Sequence, residues 1–309
     1  MTYETFQLIE RVTHVTPLGL RFWDIVAGRY VSAGVSVWVF PAHQPTRRVA
    51  AVANRSGVFV VHRAPGLRQF ESGEGELSQS PPNFVPFVVE VEDRGRRYIP
   101  FALDVDLPSR GVLRWPHPPG RERLAPETAV PLYPSGVHDV PQGMAVLRTE
   151  LRSTSDDEPG AWAVLEARFN GRLFGRGVAD ERGRVTLILP YPEPLDYTSG
   201  GGSPPSAFAA GPPLLQQEWR LQLQASYTPG AVASPPRPAA SKPNLRDILS
   251  QQPTALWASA ARTQQLTEVR LRYGRELVIR SSDDAAAVPP PAPTLLPELY
   301  ISTASLTPS

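Results

Sequence analysis

One pattern of residues, written twice, constrains the fold more than anything else in the chain. Residues 161–169 (AWAVLEARF) are a β-rich run that ends in Asn170-Gly171, the dipeptide that best tolerates the positive φ angles of a type I′ hairpin turn. Residues 172–179 read as the returning strand. The turn Asp180-Glu181-Arg182-Gly183 follows, with Gly183 at a position that calls for positive φ, and residues 185–189 make a third strand. Pro190 ends it, because proline donates nothing to a ladder. The expectation is a three-strand meander. A looser copy spans 35–65. With Gly57 placed on Gly183, Val35, Val37 and Val39 fall opposite Ala161, Ala163 and Leu165, and Phe59 and Val61 opposite Val185 and Leu187, with parity kept. Two accounts stay open: an internal duplication, or independent sandwiches of similar build.

With 36 Pro and 23 Gly in 309 residues, short elements with tight connections are favoured over long helices, and the length allows two cores. The expected class is all-β: two β-sandwich domains of Ig-like or prealbumin-like type, joined by Pro-rich linkers, with one short helix in the second. The expected boundaries are 1–107 for the first sandwich, 108–142 for the linker, 143–281 for the second sandwich with its inserted loops and helix, and 282–309 for a Pro/Ala-rich tail.

In the first domain, residues 1–15 suit an edge strand, and residues 84–92 and 97–107 form a hairpin around Asp93-Arg94-Gly95. The strand at 35–40 carries Val35, Val37 and Val39 on one face and Trp38 and Phe40 on the other. A strand apolar on both faces belongs inside a doubly covered sheet or at an interface, so Trp38 and Phe40 are candidate interaction residues, with core packing as the plainer account. In the second domain, Trp219, Leu221 and Leu223 share a strand face, and Asn244 caps a short helix in which Leu245, Ile248 and Leu249 share a face before Pro253. A last hairpin is expected at 268–273 and 276–280 around Gly274-Arg275. In the tail, Leu299, Tyr300 and Ile301 have the composition of a strand donated to a neighbour's sheet edge, and are the remaining candidate interaction residues.

A net charge of +1, from 31 basic and 30 acidic residues, supplies no broad field for phosphate backbones or anionic lipid, so no nucleic-acid partner is expected. The absence of Cys removes disulfides, thiolate nucleophiles and Cys-ligated zinc. There is no basic leader followed by an apolar core, and no run approaches the roughly 18 apolar residues of a membrane span, so the expected location is cytoplasmic, without membrane insertion. His14, His43, His62, His117 and His138 lack ligand spacing. His138-Asp139 with a serine makes a triad on paper only, since no Gly-x-Ser-x-Gly elbow places a nucleophile. Asp156-Asp157-Glu158 and Asp283-Asp284 lack the Gly and terminal Glu of a calcium loop, and the Gly-rich stretch 198–213 lacks the Lys-Ser/Thr end of a P-loop. The expectation is no catalytic residue, no cofactor and no metal; paired carboxylates for glycoside cleavage stay open, because such pairs meet only in space.

The paired pattern VSVWVF…RSGVFVVHRAPGL and WAVLEARFNG…VADERGRVTLILPYP resembles the prealbumin-like or carboxypeptidase-regulatory-like sandwich. Together with PFVVEVEDRGRRYIPFALDVDLP, PPLLQQEWRLQLQASY, NLRDILSQQP and RYGRELVIR, it resembles β-sandwich proteins associated with phage-tail-like contractile injection systems. That resemblance implies a non-enzymatic particle subunit, a cap adaptor or a baseplate-associated protein, whose partners are sheath, tube, cap or baseplate subunits. The alternative is a free-standing β-sandwich module that binds a glycan or protein ligand.

Overall fold

The computed structural model describes residues 15–71, 84–109, 111–116, 121–193, 213–230, 232, 242–279 and 298–302. Among the described residues strands account for 45% and helices for 5%, which places the chain in the all-β class. The expected edge strand at the N-terminus, the Gly-rich stretch short of Pro213, and Asp283-Asp284 lie outside the described residues.

The first half contains β1 (Gly19–Leu20), β2 (Phe22–Asp24), β3 (Arg29–Val31), β4 (Val35–Pro41), β5 (Val49–Ala50), β6 (Val52–Ala53), β7 (Phe59–Val60), the single turn α1 (Arg68–Glu71), β8 (Val85–Asp93), β9 (Phe101–Leu107) and β10 (Val130–Leu132). They form three sheets, in the orders β5-β4-β8-β9, β1-β7-β6 and β10-β2-β3. The β8–β9 hairpin has the expected parity, with Val89 opposite Leu103 and Val91 opposite Phe101. Its loop is closed by Asp93, which accepts from Arg97 N at 2.7 Å and pairs with the Arg97 guanidinium at 2.9 Å. The Pro-rich segment expected as a linker is built into this half. Val130–Leu132 runs parallel to β2, Tyr98 bridges to Pro134, and Trp115 and Tyr133 are buried in the first core.

The second half contains β11 (Met144–Ser153), β12 (Val164–Phe169), β13 (Arg172–Val178), β14 (Arg184–Pro190), β15 (Glu218–Ser226), the helix α2 (Leu245–Ser250), β16 (Pro253–Thr254), β17 (Leu256–Trp257), β18 (Glu268–Arg272), β19 (Leu277–Val278) and β20 (Glu298–Ile301). One sheet has the order β14-β11-β20-β17 with β19 also on β11, and the other β13-β12-β15-β16 with β18 also on β15. Inward residues of both sheets, among them Leu147, Leu165, Leu187, Trp219 and Leu299, share one buried cluster. Helix α2 is capped as expected, Asn244 Oδ1 accepting from Arg246 N at 2.9 Å. Its buried face, Leu245, Ile248 and Leu249, packs into the core of the first half.

Three expectations are corrected. The meander forms its first turn, with Asn170 and Gly171 both at positive φ, but β14 leaves β13 and pairs with β11 in the other sheet. The corner is Gly183 at φ +78, and a Cβ on Gly177 would lie 2.8 Å from the carbonyl oxygen of Thr186, so β13 passes bare against β14 without a ladder. The first copy does the same: β5 pairs with β4, β6 with β7, and Gly57 has φ +72. The last hairpin also divides, β18 joining β15 and β19 joining β11, because the turn at Gly274 sends the two strands to opposite sheets. The third correction concerns the tail. Glu298–Ile301 adds to the chain's own sheet, parallel to β11 and antiparallel to β17.

β19 and β20 occupy one lane. Val278 pairs with Arg148 and Glu298 with Glu150, so Ile279 and Glu298, separated by 18 residues in sequence, fall on successive positions along β11. Read across the break, Leu277, Ile279, Leu299 and Ile301 keep strict alternation, and all four pack in the second core.

Candidate functional site

The outer face of β4 was the first candidate surface. Phe40 is 1% exposed and packs with Val88 and Ala102, its cross-strand and next-lane neighbours. Part of its cover arrives from residues 242–244: Ala102 N donates to Pro243 O at 2.8 Å, Asn244 Nδ2 to Asp104 Oδ2 at 2.6 Å, and Lys242 reaches both Glu90 and Glu92 at 2.8 Å. Trp38 is half-buried, with the Arg48 guanidinium 5.2 Å above its ring. The face is therefore apolar on both sides, as its sequence indicates, and most of it is covered within the chain.

The tail residues divide in the same way. Leu299 and Ile301 are fully buried in the second core. Tyr300 stands on the opposite face, opposite Arg152 and Trp257, with its hydroxyl 3.3 Å from Glu298 Oε2. Burial, then the nearby carboxylates, push its phenol up. The two candidate sets, Trp38 with Phe40 and Leu299 to Ile301, belong to different sheets and do not form one site.

Two buried polar clusters were not visible in the sequence. In the first, Asp24 ends β2 and folds back on its own turn, Oδ1 accepting from Val26 N at 2.8 Å and Ala27 N at 3.0 Å. Its Oδ2 accepts from Tyr98 Oη at 2.8 Å and lies 3.5 Å from His138 Nε2. Burial raises the carboxyl, but the contacts with His138, Ala27, Tyr98 and Val26 outweigh it and hold it at about 2. Burial and the Asp24 carboxylate push the Tyr98 phenol up. His138 thus pairs with Asp24 and not with the Asp139 side chain; Asp139 offers only its carbonyl oxygen, 2.6 Å from Nδ1. Ser135, three residues before His138, donates its Oγ to Arg96 O. The asparagine-like turn after Asp24 was the one signal for this cluster; its partners lie 74 and 114 residues away in sequence and nothing local names them.

The second cluster lies where the halves meet. Glu166 on β12 stands directly opposite Arg176 on β13, and its carboxylate takes Arg176 Nε at 2.7 Å, Arg121 at 3.0 Å and Arg168 at 3.1 Å. Arg121 also donates to Gln251 O at 2.9 Å and Arg176 to Glu122 O at 3.1 Å, which ties the strap and α2 to β12. Burial pushes the Glu166 carboxyl up, yet Arg176, Arg121 and Arg168 bring it below its ordinary value. On the same face, the cross-strand pair Val164 and Val178 packs into the first core, which explains how a charged residue at an outward position of β12 is buried. A small pocket beside this cluster is lined by Trp115, Tyr133, Arg176 and Leu249.

Models of known protein families give no match to the chain. Curated proteins give no significant match either. Among the described residues no three His, Asp or Glu side chains gather as a metal site, and no helix is long and apolar enough to cross a membrane. Asp157 is engaged by Arg152, with Nε to Oδ1 at 2.8 Å.

Proposed function

We propose that the chain is a structural subunit of a phage-tail-like contractile injection system, non-enzymatic and assembled in the cytoplasm, built as two β-sandwiches of Ig-like or prealbumin-like type. In this reading it is a cap adaptor or baseplate-associated protein that docks on sheath, tube, cap or baseplate subunits through sheet edges and extended segments, without nucleic acid or membrane insertion. The observation that carries the reading is how the chain completes itself. Three extended segments from distant sequence are laid onto existing strands: Val130–Leu132 on β2, residues 242–244 on β9, and Glu298–Ile301 on β11. Strand addition gives affinity through main-chain bonds and specificity through alternate side chains, and it works equally between chains. Among the described residues, β3 and β18 pair on one side only. Their charged residues, Arg29 on β3 and Glu268, Arg270 and Arg272 on β18, are the kind that discourage indiscriminate pairing at an open edge.

The test is size-exclusion chromatography and pull-down of the tagged chain from lysate of the cells that make it. Co-migration with a high-mass particle containing sheath and tube proteins is the expected outcome. Recovery only as a free monomer sinks the assembly reading and leaves the glycan- or protein-binding module in its place.

A further inference from the structure

We propose that His138 is held as an imidazolium against Asp24 and acts as a pH-sensitive latch for residues 135–143: charged, it pins this segment to the first core, and on losing its proton it releases it. The argument is one of donors and acceptors. Nδ1 lies 2.6 Å from the carbonyl oxygen of Asp139, which only accepts, so Nδ1 carries a proton. Nε2 faces Asp24 Oδ2 at 3.5 Å. That carboxylate already accepts from two backbone amides and from Tyr98 Oη, an ionised group with no proton to offer. An attractive contact there requires a proton on Nε2 as well. Neither neutral tautomer satisfies both sides: one aims a lone pair at the carboxylate, and the other aims one at the carbonyl.

The groups around the ring act in the same direction. Asp24 approaches from β2 and Asp139 from the ring's own segment, while Tyr98 presents its ring at 5.2 Å, near edge-on. Arg97 stacks on Tyr98 at 5.2 Å and is paired with Asp93 at 2.9 Å. Burial disfavours the charged ring, and the contacts with Asp24 and Asp139 overcome it, so its titration is raised above the ordinary value.

The latch matters because little else holds the segment. Ser135 N donates to Arg97 O at 2.8 Å, and β11 begins at Met144; the amide hydrogen bonds between them are local, Val137 N to Ser135 Oγ, His138 N to Ser135 O and Met144 N to Pro141 O, each at 3.2 Å. From Gly136 to Gly143, His138 is the one buried residue, and Val137 and Val140 are exposed. A raised histidine stabilises below its ordinary value of about 6.5, and the contribution is lost as pH rises through the higher folded value.

The experiment is ¹⁵N–¹H NMR of the imidazole rings of the intact chain, with His138→Gln to assign the signal, combined with hydrogen exchange corrected for intrinsic rates. Both His138 nitrogens are expected to be protonated at pH 6.5, with titration above that value and a return towards it in Asp24→Asn. Protection of the amides of residues 137 and 138, which donate to Ser135, should fall about tenfold or more through the same titration, and should be low at every pH in His138→Gln. A singly protonated ring at pH 6.5 overturns the proposal, as does protection that stays constant while the ring titrates. The wild-type titration stands by itself if either variant fails to fold.

Discussion

Each half of the molecule is completed by an extended segment from elsewhere in the chain, but the two segments are secured differently. β10 lies within a strap anchored on both sides, by buried Trp115 before it and by Tyr133 and the Tyr98–Pro134 bridge after it. β20 is four residues long and reaches its lane after an 18-residue interval. Yet β20 lies between β11 and β17, where two buried side chains and ladders on both sides depend on it. The same mode of packing therefore leaves the first half fastened and the second half dependent on one short strand.

Truncation after Ile279 should have the largest effect. Losing Leu299 and Ile301 removes roughly 1.5–3 kcal/mol of burial each, and opening the lane between β11 and β17 adds unpaired backbone groups, so the second half should lose on the order of 5 kcal/mol. The sharper variant deletes only 280–297, joining Ile279 to Glu298. Because Leu277, Ile279, Leu299 and Ile301 keep parity across the break, this splice should melt near wild type. Thermal melts of the two variants side by side check both statements. A splice as damaged as the truncation would show that β19 and β20 are not one lane.

Next in size is the pair of buried carboxylates. Glu166→Ala leaves the Arg176 guanidinium, 1% exposed, without its carboxylate, and breaking such a buried pair costs about 3–5 kcal/mol. Asp24→Asn in the first half should cost less, on the order of 1–3 kcal/mol. Its amide oxygen can still accept from the turn or from Tyr98, and His138 can give up its proton where Arg176 cannot. Urea unfolding of both variants measures the difference, and equal losses would erase this distinction between the halves.

The turn glycines come third. Gly57 and Gly183 were aligned from sequence, and both have positive φ. A Cβ at Gly183 would lie 2.3 Å from Leu151 O, whereas at Gly57 the nearest atom is Ser32 Cβ at 3.2 Å. Gly57→Val should cost about 1–2 kcal/mol of backbone strain, while Gly183→Val adds a displacement of β11 and should exceed about 2 kcal/mol. Matched melting curves for the two variants would count against the geometry at Leu151.

Local chemistry was legible in the sequence because it is written in neighbouring residues. Asn170-Gly171 gives the turn, Asn244 gives the cap, and Trp219, Leu221 and Leu223 give a buried face. What was not legible is which sheet each strand joins. The sequence of β14 is that of a third meander strand, and its departure to β11 rests on Gly177 and on a contact between Gly183 and Leu151 that no local pattern encodes. The face of α2 was readable, its destination in the first core was not. The buried clusters fail for the same reason. Glu166 sits at an outward parity position and is buried only because the first half covers that face, and Asp24 meets His138 from 114 residues away.

The most discriminating effect is that of pH. Asp24 is held at about 2 against an ordinary 3.8, so its contribution is full above 3.8 and is lost as pH falls towards 2, worth about 2 kcal/mol at 1.36 kcal/mol per unit. Glu166 is also depressed, by Arg176 and its companions against the pull of burial, so its contribution is present above its ordinary value of 4.5 and is lost on acidification. Both halves should therefore weaken in acid. On the alkaline side they should part: His138 is raised, and its contribution fades as pH rises above about 6.5, whereas the arginines around Glu166 keep their charge. Urea titrations followed by NMR through amides of β4 and of β12, at pH 6 and pH 8.5, should show the first half losing stability and the second holding. A parallel decline of both halves would mean that the alkaline loss does not come from the His138 and Asp24 pair.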